Sequence, residues 1–443
     1  MSNLIRIKRG FDIGVDFSPE PAECSSQKLS QQYAVCPSDF PGFTPKLAKR
    51  EGEPVKAGEP LLYDKNDADV CLVSPVSGVV AKIVRGERRR IVRVEVAADE
   101  ETATMTFATK GLDGDGVTTL LKRAGLWVRM RQRPYDVIPE SGKAPRDIFV
   151  SAFDSAPMSA KSLITDEKDF RKGVEVLGGL TAGKVYIGCR PDHEITTPHS
   201  ETYLFDGPHP AGNPGVQIEK IRPVNKGETV WAMGADTVCK IGHLFNNNTL
   251  DFGCRVAVGG SCVAQARFIK ATEGESLKNL LTGNLQGEVD AMRIVSGNLL
   301  TGVKETIDGY LHFPYRTVSV IPEINEEIEF LGWARLGKNK YSFGHTFATW
   351  LGSKASHLFD AKINGGERAI IMAGEYDKVQ PMDIYSEFLI KAILARDIEK
   401  MEQLGIYEVA PEDFALCEFI DTSKLELQRI VREGLDYLRK ELN

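Results

Sequence analysis

Across 443 residues the sequence contains no CxxC pair, although eight cysteines (Cys24, Cys36, Cys71, Cys189, Cys239, Cys254, Cys262, Cys417) are spread along it. Structural zinc sites and iron–sulfur clusters draw on at least one such closely spaced pair, so no metal centre is expected. In a reducing compartment these thiols are expected as small buried apolar side chains. Long apolar runs are missing too: none approaches the ~18–20 residues that cross a bilayer. The opening MSNLIRIKRGFDIG is basic but has no apolar core of about 7–15 residues, so it does not read as a secretory signal. A basic excess is also lacking, with 55 Lys and Arg against 62 Asp and Glu and a net charge of −7. That balance excludes a general polyanion binder, and no nucleic-acid partner is expected. HExxH, a Walker A loop, a Ser–His–Asp order and a paired-carboxylate context are all missing. The expectation is a cytoplasmic chain without a self-sufficient active site, held at any membrane through partners.

What is present is a soluble globular composition, 42% hydrophobic and 26% charged, in a chain long enough for two to four domains. Residues 44–96 alternate short β-type runs with turns at Gly58, Gly78 and Gly86. Apolar residues recur with period two at Val79, Ala81 and Ile83, then at Val92, Val94 and Val96, which predicts a compact all-β module. From about residue 117 the rhythm becomes helix, strand, helix and strand, the pattern of a βαβ unit with a parallel sheet. Residues 205–257 return to Gly- and Pro-rich character, and PVNKGETVW echoes PVKAGEPLL at 54–62. The run from Arg255 to Leu300 reads as two strands, a short helix and a strand, which suits a β-grasp domain. The last hundred residues carry helical stripes: Ile384, Phe388, Ile393, Ile398 and Met401, then Leu427, Val431, Leu435, Leu438 and Leu442.

Four features bear on chemistry. CLVSPVSGVVAKIVRG (71–86) reads like the inner strand of a lipoyl or biotinyl hairpin. Lys65 lies nine residues before Ser74, too far for the usual attachment turn, so no covalent lipoyl or biotin is expected there. The strand IFVSAFDS is followed by APMSAKSL, which has no glycine to bring backbone amides to a phosphate, so no bound NAD or flavin is expected. The loop FDGPHPAGNPG (205–215) presents His209, able to move a proton near neutral pH or simply to cap backbone. His193 and His199 fit no common zinc spacing with it. In GLWVRMRQRPYDVIP (125–139), Arg133, Pro134 and Tyr135 combine flat apolar surface with cations, as a quinone head group would require or as a basic element docking on an acidic neighbour would show.

SPVSGVV, GLWVRMRQRPYDVIP, FDGPHPAG, VSGNLLTG, FLGW (330–333) and above all NGGERAIIMAGEYDKVQPMDI (364–384) resemble, in order, the A subunit of the sodium-translocating NADH:quinone oxidoreductase. The resemblance implies a peripheral subunit on the inner face of the cytoplasmic membrane, in a complex that oxidises NADH, reduces quinone and exports sodium. NADH, flavins and an iron–sulfur cluster would reside on partner subunits, with no tightly bound redox cofactor on this chain. It also implies distant kinship with the C subunit of the Rnf complex and with the flavin- and NADH-binding subunit of complex I. The expected fold is α/β multidomain: a lipoyl/biotinyl-like β module (a barrel-sandwich hybrid) over 1–105 and a Rossmann-like α/β domain over 106–204. A Gly/Pro-rich β segment over 205–257 is expected to complete the first module. A β-grasp domain of the soluble-ligand-binding (SLBB) type over 258–325 and a C-terminal region over 326–443, mostly helical from 381, follow. The quinone candidates are Arg133, Pro134, Tyr135 and His209, with no catalytic residue assigned. The competing readings are a stand-alone flavin- or NAD-binding oxidoreductase, a biotin or lipoate carrier, and a non-catalytic assembly scaffold.

Overall fold

The computed structural model describes residues 3–19, 24–26, 30–159, 162–324, 341, 343, 357–363 and 366–442. The FLGW stretch, together with Asn364 and Gly365 of the long C-terminal motif, lies outside the described residues.

Two small antiparallel sheets form the first module. One runs Gln32–Val35, Ile91–Ala98, Gly78–Arg85, Pro54–Val55; the other runs Pro45–Leu47, Pro60–Asp64, Cys71–Val73. Leu61, Leu62, Val80, Val94 and Val96 fill the space between them. The inward face of the Gly78–Arg85 strand is one residue out of phase with the period read from sequence: Val80 is fully buried and Val79 is 40% exposed. Gly78 sets that phase, because a Cβ there would lie 1.9 Å from the carbonyl oxygen of Ala97. Register shifts between Val80 and Lys82, and again near Ile91, break the simple alternation and leave Val92 outside.

The second domain is a six-stranded sheet in the order Asn3–Arg6, Ser200–Asp206, Val185–Cys189, Ile148–Ser151, Val230–Gly234, Arg131–Arg133. All neighbours are parallel except the Arg131–Arg133 edge. Four helices serve it: α1 (Gly114–Arg123), α2 (Glu167–Gly178), α3 (Pro214–Ile221) and α4 (Ala235–Asn247). Ile148 and Val150 point to the side of α2 and α4, where Val174, Leu177, Val238 and Ile241 join them. Phe149 points to the other side, against Ile218 of α3. Helices α2 and α4 touch backbone to backbone, since a Cβ on Gly173 would meet the Val238 carbonyl oxygen at 2.0 Å and one on Gly242 that of Asp169 at 1.7 Å.

Two expected boundaries are therefore corrected. Residues 205–257 supply α3, a central buried strand and α4 to this sheet and do not complete the first module. The reason is pairing geometry: Val230–Gly234 runs parallel to Ile148–Ser151, and a parallel neighbour needs a crossover. The chain start, assigned to residues 1–105, also lends Asn3–Arg6 to the edge of this sheet.

The third sheet runs Val303–Glu305, Met292–Ser296, Thr317–Pro322, Gly253–Gly259, Arg267–Thr272, Cys24–Ser26. Helix α5 (Leu277–Leu281) buries Leu277, Leu280 and Leu281 against it. It is a β-grasp arrangement whose edge is extended by Cys24–Ser26, parallel to Arg267–Thr272. The C-terminal helices are α6 (Ser386–Ala395), α7 (Ile398–Gln403), α8 (Ala415–Ile420) and α9 (Leu427–Leu442). The stripe read as one helix through Met401 is two, parted at Arg396, which adopts a left-handed φ of 53° and closes α6. Phe388 of that stripe faces outward. The rest pack on Ile7, Phe205 and Val216 of the second domain.

Where the modules meet lies a buried knot of charge. Glu273, just after the Arg267–Thr272 strand, takes both guanidinium nitrogens of Arg129, with Nη1 at 2.8 Å, and lies 3.2 Å from Arg316 and 3.4 Å from Lys240 of α4. Arg316 also binds Asp236 of α4 at 2.5 Å. Burial opposes ionisation of Glu273, but Arg129, Lys240 and Arg316 outweigh it and hold the carboxyl far below the usual range. Substituting Glu273→Gln leaves three buried cations sharing one remaining acid. The expected cost is about 3–5 kcal/mol, read as a lowered midpoint in chemical denaturation at pH 7.

Candidate functional site

The Arg131–Arg133 strand is delivered by a tight turn, Trp127–Arg129, whose indole donates to the Pro139 carbonyl at 2.9 Å and packs edge-on against Trp231. Beyond the cis Arg133–Pro134 bond, Tyr135 and Asp136 both adopt positive φ, 82° and 52°. Non-glycine residues rarely hold such angles without support. Here Arg432 of α9 supplies it, donating Nη2 to the Tyr135 carbonyl and Nη1 to the Asp136 carbonyl at 3.0 Å.

Arg133 is 1% exposed, with Nη1 3.2 Å from Asp136 and Nη2 3.3 Å from Glu412. Burial opposes its charge, but Asp136, Asp413 and Glu412 outweigh it. Glu412 and Asp413 sit on a short turn, Pro411–Phe414. Asp413 is buried; one oxygen accepts from the Ala410 amide at 2.9 Å and Oδ1 has no partner. Burial pushes this carboxyl up, with Arg133 opposing. Glu412 is driven the same way, but its side chain is 41% exposed, so solvent and Arg133 relieve much of the effect.

The loop carrying His209 reaches the same turn. Asn213 donates to the Glu412 carbonyl at 3.2 Å, and a Cβ on Gly215 would sit 2.3 Å from Asp413 Oδ2, so only glycine admits the acid there. His209 is 3% exposed. Its Nδ1 lies 3.0 Å from Ser155 Oγ, which in turn accepts from the Gly212 amide at 2.9 Å. Its backbone is pinned by Asp12, which accepts the His209 amide at 2.8 Å. Nε2 has no partner in either tautomer. Burial pushes the imidazole down to about 4, so it is neutral near pH 7.

The two candidate segments, far apart in sequence, thus converge on one acidic turn. Arg133 and Pro134 are buried framework, Tyr135 is half-buried against the C-terminal core, and His209 offers the open hydrogen-bonding atom. Lys65 lies exposed at a turn whose neighbours are docked: Asp67 binds Lys122 at 2.8 Å and Asp69 binds Arg123 at 2.9 Å, both on α1. After the Ile148–Ser151 strand no helix begins until Glu167, so among the described residues that strand leads into no helix N-terminus able to cradle phosphate.

Sequence reasoning missed a second group at the seam of the first module and the β-grasp sheet. Cys36, Asp39 and His312 meet there beside a cavity of about 50 Å³ that Arg129, Glu273 and Arg316 also line. No local pattern could have found it, because partners near residue 36 and near residue 312 carry no common spacing.

A barrel-sandwich module, a mostly parallel α/β sheet and a β-grasp sheet, the last two tied by buried charge, define a modular chain. Family models agree with each part: the NqrA N-terminal barrel-sandwich hybrid domain over residues 5–99, the NqrA second alpha/beta domain over 112–250 and the NQRA C-terminal domain over 255–306. The A subunits of the Na(+)-translocating NADH-quinone reductases of Yersinia pestis bv. Antiqua, Vibrio anguillarum and Hahella chejuensis are each 34% identical to it over 451 residues. Each alignment covers 99% of this chain and 100% of the relative. The chain belongs to the NqrA family, the A subunits of the Na(+)-translocating NADH-quinone reductase. No helix among the described residues is long and apolar enough to cross a membrane.

A buried neutral histidine sets a pH dependence. Unfolded, His209 takes up a proton below its ordinary value of 6.5; folded, it does so only near 4. Its contribution is therefore complete above that ordinary value and is lost as pH falls toward the folded one. Between pH 7 and pH 5 this amounts to about 2 kcal/mol. Denaturation midpoints should fall less over this interval in His209→Gln than in the parent.

Proposed function

We propose that this chain works as its relatives' name implies, within a complex that passes electrons from NADH to quinone and exports sodium. In this reading it is a peripheral subunit on the cytoplasmic face. NADH, flavins and the iron–sulfur cluster reside on partner subunits, and this chain holds no tightly bound redox group. Its contribution is to quinone binding. His209 and Tyr135 face the head group, while Arg133 and Pro134 position the turn that carries Tyr135.

The observation that supports this is the open Nε2 of His209, buried while its Nδ1 is engaged with Ser155 Oγ, which the Gly212 amide holds in turn. A buried polar atom without a partner is costly, and a quinone carbonyl or its reduced hydroxyl would complete it. A neutral imidazole can donate to a carbonyl or accept from a hydroxyl, depending on tautomer. Asp413, whose carboxyl burial pushes up and whose Oδ1 has no partner, belongs to the acidic turn that the same loop contacts. The same modular build is consistent with the distant kinship to the Rnf and complex I proteins expected from sequence. The second reading is a scaffold without quinone contact, favoured by the depth of Arg133.

In the assembled complex, His209→Gln and Tyr135→Phe should raise the quinone KM about five- to tenfold, the value of one lost hydrogen bond. NADH oxidation by an artificial electron acceptor should be unchanged. An unaltered quinone KM in both variants, with Arg133→Ala failing to assemble, would establish the scaffold. A flavin spectrum from the purified chain alone would instead establish a stand-alone flavoprotein.

A further inference from the structure

The seam between the first module and the β-grasp sheet carries a donor set that neither the family resemblance nor the charge knot explains. Cys36 precedes a single 3-10 turn, Pro37–Asp39, so the Cys36 and Asp39 side chains leave the same side of the chain three residues apart. His312 comes from the β-grasp domain, its backbone amide held by Ser296 Oγ at 2.8 Å. One donor atom from each of Cys36, Asp39 and His312 lies within 4.8 Å of the others.

We propose that Cys36 Sγ, Asp39 Oδ1 and His312 Nδ1 form a binding site for a thiolate-accepting divalent transition-metal ion of the zinc class. Three features beyond proximity support it. Asp39 Oδ2 is already engaged by the Phe313 amide at 3.0 Å, which leaves Oδ1, 2.7 Å from His312 Nδ1, as the inward-facing oxygen. His312 Nε2 lies 2.9 Å from Glu305 Oε1, the outer carboxylate that fixes the tautomer and orientation of a metal-bound imidazole. The adjoining cavity of about 50 Å³ is lined by all three donors and leaves space for a fourth ligand such as water.

The charge arithmetic is favourable. A thiolate, a carboxylate and a neutral imidazole neutralise a divalent cation, and Glu305 supports the ring from outside. In the ion-free chain the two ring nitrogens of His312 instead meet Asp39 Oδ1 at 2.7 Å and Glu305 Oε1 at 2.9 Å. Metal entry takes Nδ1 as a ligand atom and Cys36 as the thiolate, whose proton is released. Because the donors come from two modules, the ion would fasten the first module to the β-grasp domain. This proposal is independent of the quinone reading.

The test uses the full chain, stripped with a chelator and then titrated with Zn²⁺ or Co²⁺. One metal ion per chain after dialysis, a thiolate-to-cobalt charge-transfer band and a rise in thermal midpoint with zinc are expected. Cys36→Ser, a near-isosteric change, should lose the band and the zinc-dependent rise while remaining folded; His312→Gln should lose metal retention at least tenfold. A folded parent that shows neither band nor zinc-dependent rise overturns the site. A band that persists in Cys36→Ser overturns it equally, by assigning the metal to another cysteine.

Discussion

Glu273 is the constraint on which the arrangement of modules rests. A carboxylate buried among Arg129, Lys240 and Arg316 is tolerable only if all four groups arrive together. Arg129 comes from the turn after α1, Lys240 from α4, and Arg316 from the β-grasp domain. The second domain and the β-grasp sheet cannot part without leaving a charge unpaired in a poorly solvated place, so the knot fixes their relative position more than it adds net stability. Lys240 is further held by the Asp251 and Gly253 carbonyls at 2.8 and 2.9 Å, which tie the knot to the first strand of the β-grasp sheet.

Both candidate sites also lie at seams. The Arg133 and His209 segments approach one another through a C-terminal turn, with α9 restraining the strained Tyr135–Asp136 pair through Arg432. The Cys36–Asp39–His312 group needs the first module and the β-grasp sheet in register. Each cluster takes groups that one module alone would leave exposed or unpaired and completes them with the neighbour.

The modules themselves were legible in the sequence. Glycine turns and period-two runs marked the first β module, and the Arg255–Leu300 order of strand, strand, helix and strand marked the β-grasp sheet. Partnership between distant segments was not legible. Residues 205–257 look like β-hairpins locally, yet Val230–Gly234 finds its partner at Ile148–Ser151 and α3 becomes a crossover. Likewise Val79 and Val80 have equal claims to the core until backbone contact at Gly78 decides between them. Arg133 and His209 were visible as chemistry, but not as buried groups. His312 and Cys36 offered no local signal of each other.

One further consequence lies in the opening thirty residues. Asn3–Arg6 pairs with Tyr203–Asp206, and Cys24–Ser26 pairs with Phe268–Lys270, so the chain start is stitched into the second and third domains before it enters the first. On the ribosome these strands emerge roughly 10–40 s before their partners exist, at ~5–20 residues per second. The first module is complete by then, but its leader must wait as two unpaired edges. The beginning is thus captured by the middle, and a chain released before those partners emerge would expose both strands as unpaired edges.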